Sequence, residues 1–379
     1  AIEGQRKVFA MGKPQPVVRG SRRFNLGLQG GGSHGAFTWG VLDRILEDPR
    51  LIIDSITGAS AGAMNAVVVA HGIATGGREE ARADLRKFWT KVGTAAKTSP
   101  IQRSALAKWL GDWSLDWSPG YAAFDIMSRV ASPYDINPTD INPLRDILSS
   151  VVSFEAVRAC DQIGLYISAT NVETGRVDVF EQKELTVDHV LASACLPTLF
   201  KAVEIEGVPY WDGGYMGNPP LFPLFDNAES DDVIIVQINP LTKPGAPKRA
   251  RDILNRINEI TFNASLLREL RAIDFVTRLL DDGRLEGTGY RRVLVHMIGD
   301  EETLGNFGAS SKLNAEQAFL DLLFEKGYAA ADNWIARHHK DIGRRSTINL
   351  RRMFSAGEDP LGIERIKRPS KYQMPGTGS

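Results

Sequence analysis

The sequence predicts an α/β protein built on a central, mostly parallel sheet. Three observations carry that prediction. A short apolar strand, Phe24 to Leu28, runs into a glycine-rich turn and then into a stretch, Ala36 to Leu46, in which Phe37, Val41, Leu42 and Ile45 recur at helical spacing. A second unit of the same kind follows at once: Leu51 to Thr57 is a buried-strand run, Gly58-Ala59-Ser60-Ala61-Gly62 a tight turn, and Ala63 to His71 a helix of small and branched residues. Further along, the apolar runs Val233 to Ile238 and Val293 to Ile298 supply additional strands.

Parallel strands present their carboxyl ends on one edge, so the two glycine turns are expected side by side. From Arg78 to Pro133 the chain reads as helical and aromatic, and four of the seven tryptophans (Trp89, Trp109, Trp113 and Trp117) fall there. The plainer reading is a helical layer with Trp as core filler; the functional one is an insertion that covers a lipid pocket or rests on an interface. Asn142-Pro143 is a good N-cap and first-turn pair for a helix over Leu144 to Val152. Leu165 to Thr170 and Val177 to Phe180 read as paired strands, Thr186 to Cys195 as a helix stopped by Pro197, and Val203 to Tyr210 as a hairpin turning at Glu206-Gly207. Ala250 to Leu280 has the spacing of a long amphipathic helix.

Composition bounds the function. With 45 basic and 46 acidic side chains the formal charge is −1, which argues against a general nucleic-acid binder. Divided along the chain, the same charge is uneven. Residues 1–23 carry six basic and one acidic side chain, and residues 343–379 eight basic and three acidic, so the two ends are each +5 and the body between them is −11. Two basic ends of this kind suit a peripheral membrane surface, although flexible basic tails are more often simply solvated. The expected organisation is a basic N-terminal extension (1–23), one folded domain (24–342) and a basic, flexible tail (343–379). Cys160 and Cys195 are too few for a disulfide framework and have no zinc-ligand spacing, so a reducing, cytoplasmic compartment fits and no metal or cofactor is expected. No run approaches the roughly 18–20 apolar residues of a membrane span. The first residues lack the apolar core of a secretory signal, and the start at Ala1 fits loss of an upstream segment.

Three motifs carry chemistry. Gly58-Ala59-Ser60-Ala61-Gly62 matches G-x-S-x-G in the strand-to-helix context that places a serine hydroxyl at the tip of a sharp turn, where Gly58 and Gly62 avoid clashes with the neighbouring elements. Gly30-Gly31-Gly32-Ser33-His34-Gly35 also fits G-x-G-x-x-G after a strand. A dinucleotide fold would need an acid about twenty residues on, and Asp54, the only candidate, lies inside the second strand. No Gly-Lys-Ser/Thr follows for a P-loop. A glycine turn at a helix start still offers backbone N–H groups to an anion, and beside a serine nucleophile that anion is the tetrahedral oxyanion of acyl transfer. A histidine base is not evident among His34, His71, His189, His296, His338 and His339. Trp211-Asp212-Gly213-Gly214 is the better candidate, a carboxylate at a strand end followed by two residues that leave space.

The glycine turn from Gly30, the serine turn from Gly58 and Asp212-Gly-Gly, in that order along the chain and together with Ser193-Ala-Cys-Leu-Pro197-Thr-Leu-Phe200, resemble the patatin-like phospholipases from about Phe24 to Asn239. The resemblance implies a three-layer α/β/α fold and a Ser–Asp dyad with no histidine. It assigns Ser60 as nucleophile, Asp212 as general base and acid, and the loop Gly30, Gly31, Gly32, Ser33 and Gly35 as the oxyanion hole, with donors around Gly31 to Ser33. Gly58, Gly62, Gly213 and Gly214 would support the motifs. The chain departs from the commonest pattern at His34, where many members carry Arg or Lys, which puts selectivity for a phosphate head group in doubt. The implied substrate is a lipid ester of phospholipase A or lysophospholipase type. Alternatives are an intracellular esterase or thioesterase acting on storage polyester, acylglycerol or acyl-thioester, and a non-catalytic domain that binds lipid or a partner.

Overall fold

The computed structural model describes residues 18–354 except 110, 244 and 249, so what was expected of 1–17 and 355–379 lies outside the described residues. β1 (Arg22–Leu28) leads through the glycine turn into α1 (Gly35–Glu47), and β2 (Leu51–Gly58) through the serine turn into α2 (Ala61–Gly76) and α3 (Arg78–Ala96). Short helices α4 (Ala105–Trp109), α5 (Pro119–Val130), α6 (Pro133–Ile136), α7 (Pro143–Ser149) and α8 (Phe154–Ala159) precede β3 (Gly164–Asn171) and β4 (Val177–Glu181). Then come α9 (Val187–Ser193), β5 (Val203–Ile205), β6 (Val208–Asp212), α10 (Phe222–Asn227), β7 (Asp232–Val236) and α11 (Ala250–Asp281). β8 (Leu294–Ile298), α12 (Glu301–Gly305), α13 (Gln317–His338) and α14 (Leu350–Phe354) complete the order.

The strands form one sheet in the order β5-β6-β3-β2-β1-β7-β8, with β4 also paired to β3. β1, β2, β3, β7 and β8 are mutually parallel, whereas β4 and β6 run antiparallel to β3. Alternation along β7 shows why helices cover both faces. Ile234 and Val236 point into a core shared with α1, α2, α3 and α13, while Val233 and Ile235 meet Leu266, Leu270 and Ile273 of α11 and Leu221 and Leu224 around α10. The result is a three-layer α/β/α architecture around a mostly parallel sheet. The β5–β6 hairpin turns at Glu206 (φ 53°) and Gly207 (φ 82°), the two positive φ values that a two-residue hairpin of matching twist requires.

Three expectations need correction. The chain after Gly343 is packed as far as Phe354. Gly343 N–H donates to Asp232 Oδ1 (2.8 Å), Thr347 N–H donates to Val295 O (3.1 Å), and Leu350 is buried in the second core, because Ile348, Leu350 and Met353 give this basic stretch an apolar face. At the other end Arg22 and Arg23 belong to β1 rather than to an extension, and Arg23 pairs with Asp54 (2.9 Å). The tryptophans divide: Trp89 is buried and donates to Asn65 Oδ1 (3.0 Å), and Trp113 stacks on Phe319 with ring centres 5.2 Å apart. Trp109 and Trp117, however, are 81% and 64% exposed and fill no core.

Candidate active site

β1 and β2 are adjacent and parallel, so the glycine turn and the serine turn emerge together at the carboxyl edge of the sheet. Ser60 is the N-cap of α2 with φ 53° and ψ −122°, a backbone state that costs a non-glycine residue roughly 1–3 kcal/mol. The surroundings enforce it. Ser60 N–H donates to the buried Ser193 Oγ (2.9 Å), and a Cβ on Gly62 would stand 2.2 Å from Leu28 O. On Gly58 it would stand 2.8 Å from the Gly62 carbonyl carbon, so both motif glycines are dictated by backbone contact. The helix that starts at Ala61 directs its positive end toward Ser60.

The glycine turn lies directly on this serine: a Cβ on Gly30 would be 2.6 Å from Ser60 Cβ, and one on Gly35 2.6 Å from Ala61 Cβ. Its amides are not equivalent. Gly30 N–H donates to Asn218 Oδ1 (2.6 Å), His34 N–H to Gly31 O (3.3 Å), and Gly35 N–H to the Gly32 and Ser33 carbonyls. Among the described residues no acceptor takes the Gly31, Gly32 or Ser33 N–H. Of the five residues expected to form the oxyanion loop, Gly30 and Gly35 therefore have their N–H groups engaged, and three donors remain.

Asp212 ends β6, whose pairing with β3 sets Asp212 opposite Ala169, beside the Gly58 end of β2. The side chain is fully buried, its Oδ1 accepts from Gly214 N–H (2.7 Å), and its Oδ2 is left without a partner. The nearby Ser60 hydroxyl favours the ionised carboxylate, while Asp212 Oδ2 has no hydrogen-bond partner among the described residues. Burial pushes the Asp212 carboxyl up to about 7, against smaller opposing effects from the Gly214 amide, Ser60 and the Lys312 charge. Gly213 and Gly214 have no room for side chains: a Cβ would meet Ser168 O at 2.2 Å and the Phe262 ring at 2.4 Å respectively.

His34 is buried, with Nε2 2.7 Å from Ser311 Oγ and its ring edge-on to Phe307 and Phe319. Burial and the Lys312 charge lower its pKa to about 3, so it is a neutral loop anchor. Four of the other five histidines have partners elsewhere, His71 with Asp84, His189 with Thr186, His296 with Asp232 and His338 with Asp341, and His339 caps the end of α13 with its Nε2 unpartnered.

Several residues around the turn were not singled out from sequence. Gln29 Oε1 accepts from Ile238 N–H and Asn239 N–H (both 3.0 Å), and Asn239 Nδ2 donates to Gly30 O (2.7 Å). Asn239 follows β7 closely at the carboxyl edge, a placement that marks ligand crevices in parallel sheets and could have flagged it. Lys312, nearly a hundred residues from any motif, has no local signal.

A patatin-like phospholipase family model matches residues 26–225, which contain Ser60, Asp212 and the glycine turn. Among solved structures the chain is similar to VipD from Legionella pneumophila, at 13% identity and a TM-score of 0.35, over 82% of this chain and 67% of that one. It is also similar to full-length ExoU in complex with full-length SpcU from the type III secretion system of Pseudomonas aeruginosa, at 13% identity and a TM-score of 0.28, over 81% of this chain and 53% of that one. No curated protein matches the chain. The family model covers more than half of the sequence, and the chain belongs to the patatin-like phospholipase family.

Proposed function

We propose that the protein is a serine acyl hydrolase that cleaves lipid carboxylic esters of phospholipase A or lysophospholipase type. The observation that carries the reading is Ser60 on a strained strand-to-helix turn beside a buried carboxyl pushed up to about 7. In this reading Ser60 Oγ attacks the ester carbonyl carbon while Asp212 accepts the hydroxyl proton, and the carbonyl oxygen becomes an oxyanion facing the free amides of Gly31, Gly32 and Ser33. The tetrahedral intermediate collapses, the C–O bond to the leaving alcohol breaks, and Asp212 returns the proton to that oxygen. Water then attacks the acyl-enzyme by the same route and releases the carboxylic acid. A carboxylate titrating near neutrality is a far better base for this than an exposed aspartate, while a leaving amine would demand more of the acid. Esters and thioesters suit the dyad, and peptides do not.

Ser60→Ala and Asp212→Asn are each expected to abolish hydrolysis of a short p-nitrophenyl ester, with the circular dichroism spectrum unchanged. Wild-type turnover by Asp212→Asn, with loss in His189→Ala or His296→Ala, would remove the dyad from the reading. The neutral His34 favours a second substrate class, acylglycerol, polyester or acyl-thioester, because the loop offers no histidinium to a phosphate head group. Product analysis after incubation with mixed phospholipids and acylglycerols decides between the two. Labelling of Ser60 by a fluorophosphonate excludes an idle binding domain. We further propose that the protein works at a membrane surface as a peripheral partner. Among the described residues no helix is long and apolar enough to cross a membrane.

A further inference from the structure

The turn Ala309–Leu313 clamps the glycine loop from a part of the chain outside the matched residues 26–225. Three contacts do so. A Cβ on Gly32 would stand 2.4 Å from Lys312 O, Ser311 Oγ meets His34 Nε2 (2.7 Å), and Lys312 Nζ donates to Asn239 Oδ1 (2.7 Å). Asn239 in turn donates to Gly30 O (2.7 Å). Because a peptide is planar and trans, fixing the Gly30 carbonyl toward Asn239 fixes the Gly31 N–H in the opposite direction. Gly31 N–H is one of the three free donors of the loop. A charged donor on Asn239 Oδ1 also polarises that amide and strengthens its bond to Gly30 O.

We propose that Lys312 is the positioning residue of the oxyanion loop, supplying through Asn239 and Gly30 the fixed cation that His34 does not. The inference rests on the acyl-hydrolase reading above. Lys312 is half-buried, and its ammonium is bonded to the fully buried Asn239. Burial lowers its pKa to about 8; Glu259 and Asp212 oppose that shift, Lys243 adds to it, and the nearby His34 is neutral.

The test uses the full chain and the rate of Ser60 labelling by a fluorophosphonate, whose phosphonyl oxygen enters the oxyanion site, alongside ester hydrolysis. Lys312→Met is expected to slow labelling and kcat on the order of 10- to 100-fold, with KM changed by less than about 3-fold, as for loss of indirect oxyanion support. Lys312→Arg should restore most of the rate and move the alkaline limb of the kcat profile upward from about 8, because guanidinium stays charged there. Asn239→Leu combined with Lys312→Met should be no slower than the worse single variant, since both break one chain of contacts. Labelling of Lys312→Met at the wild-type rate overturns the proposal and leaves the dyad standing. An alkaline limb unmoved by Lys312→Arg overturns it as well, and this decides the matter if Lys312→Met does not fold. Absence of labelling in the wild type overturns both readings.

Discussion

Asp212 sits where a carboxylate is least comfortable, enclosed, with one oxygen on Gly214 N–H and the other unpartnered. Its burial raises the carboxyl to about 7, and two outcomes follow. A base must be ionised, so kcat/KM for an ester should rise through about pH 7 as Asp212 loses its proton. For stability the sign is opposite. Between about 4 and 7 the native state keeps a proton that the unfolded chain has released, so this contribution is full below the unfolded pKa and is lost as pH rises through the folded one. Asp212→Asn should therefore raise the melting temperature more at pH 8, where the wild type buries a charge, than at pH 5, where both side chains are neutral. Effects of Glu269, also pushed up to about 7 by burial, cancel in the comparison. An equal shift at both pH values would mean that Asp212 is not perturbed. The residue was legible as Asp-Gly-Gly at a strand end; its altered acidity was not, because desolvation comes from residues scattered through the chain, such as Phe262 against Gly214.

At the scale of elements, the serine turn was legible because its constraints are local. The two glycines and the strand before them are contiguous, and the contacts that exclude side chains at 58 and 62 involve this turn and the neighbouring β1. Gly62→Ala places a methyl 2.2 Å from Leu28 O, a backbone carbonyl in the middle of the sheet that cannot yield. It should cost roughly 1–3 kcal/mol or more and remove ester hydrolysis. Gly305→Ala is the control: its Cβ would meet Pro240 at 3.9 Å, and the change should stay within about 0.5 kcal/mol. Thermal melts and turnover of the two variants check the contrast. The β5–β6 hairpin was readable for the same local reason. The clamp on the glycine loop was not, because Asn218, Asn239 and Lys312 converge only once β7 and the Ala309–Leu313 turn are packed beside β1. Residues 344–354 do not read as folded from sequence because charge dominates them, while Ile348, Leu350, Met353 and Phe354 pack into the second core.

Over the whole molecule the charge of −1 conceals two basic ends on an acidic body. Large apolar side chains also stand in solvent around the helical segment: Trp109, Trp117, Ile126, Val130 and Ile141. A lone exposed apolar residue needs no explanation, but this concentration lies in one stretch of sequence, and tryptophan is favoured at the boundary between lipid and water. Basic residues near an anionic surface add about 1 kcal/mol each when well placed. Both contributions would act together in a peripheral enzyme that takes its substrate from a bilayer. The protein is therefore expected to float with vesicles containing phosphatidylserine more than with phosphatidylcholine alone, and less so in high salt as the charges are screened. Replacing Trp109 and Trp117 with Ser should weaken flotation with both vesicle types while leaving turnover of a water-soluble p-nitrophenyl ester unchanged. Equal flotation with the two vesicle types would reject the electrostatic part, and flotation indifferent to the two tryptophans would reject the interfacial part.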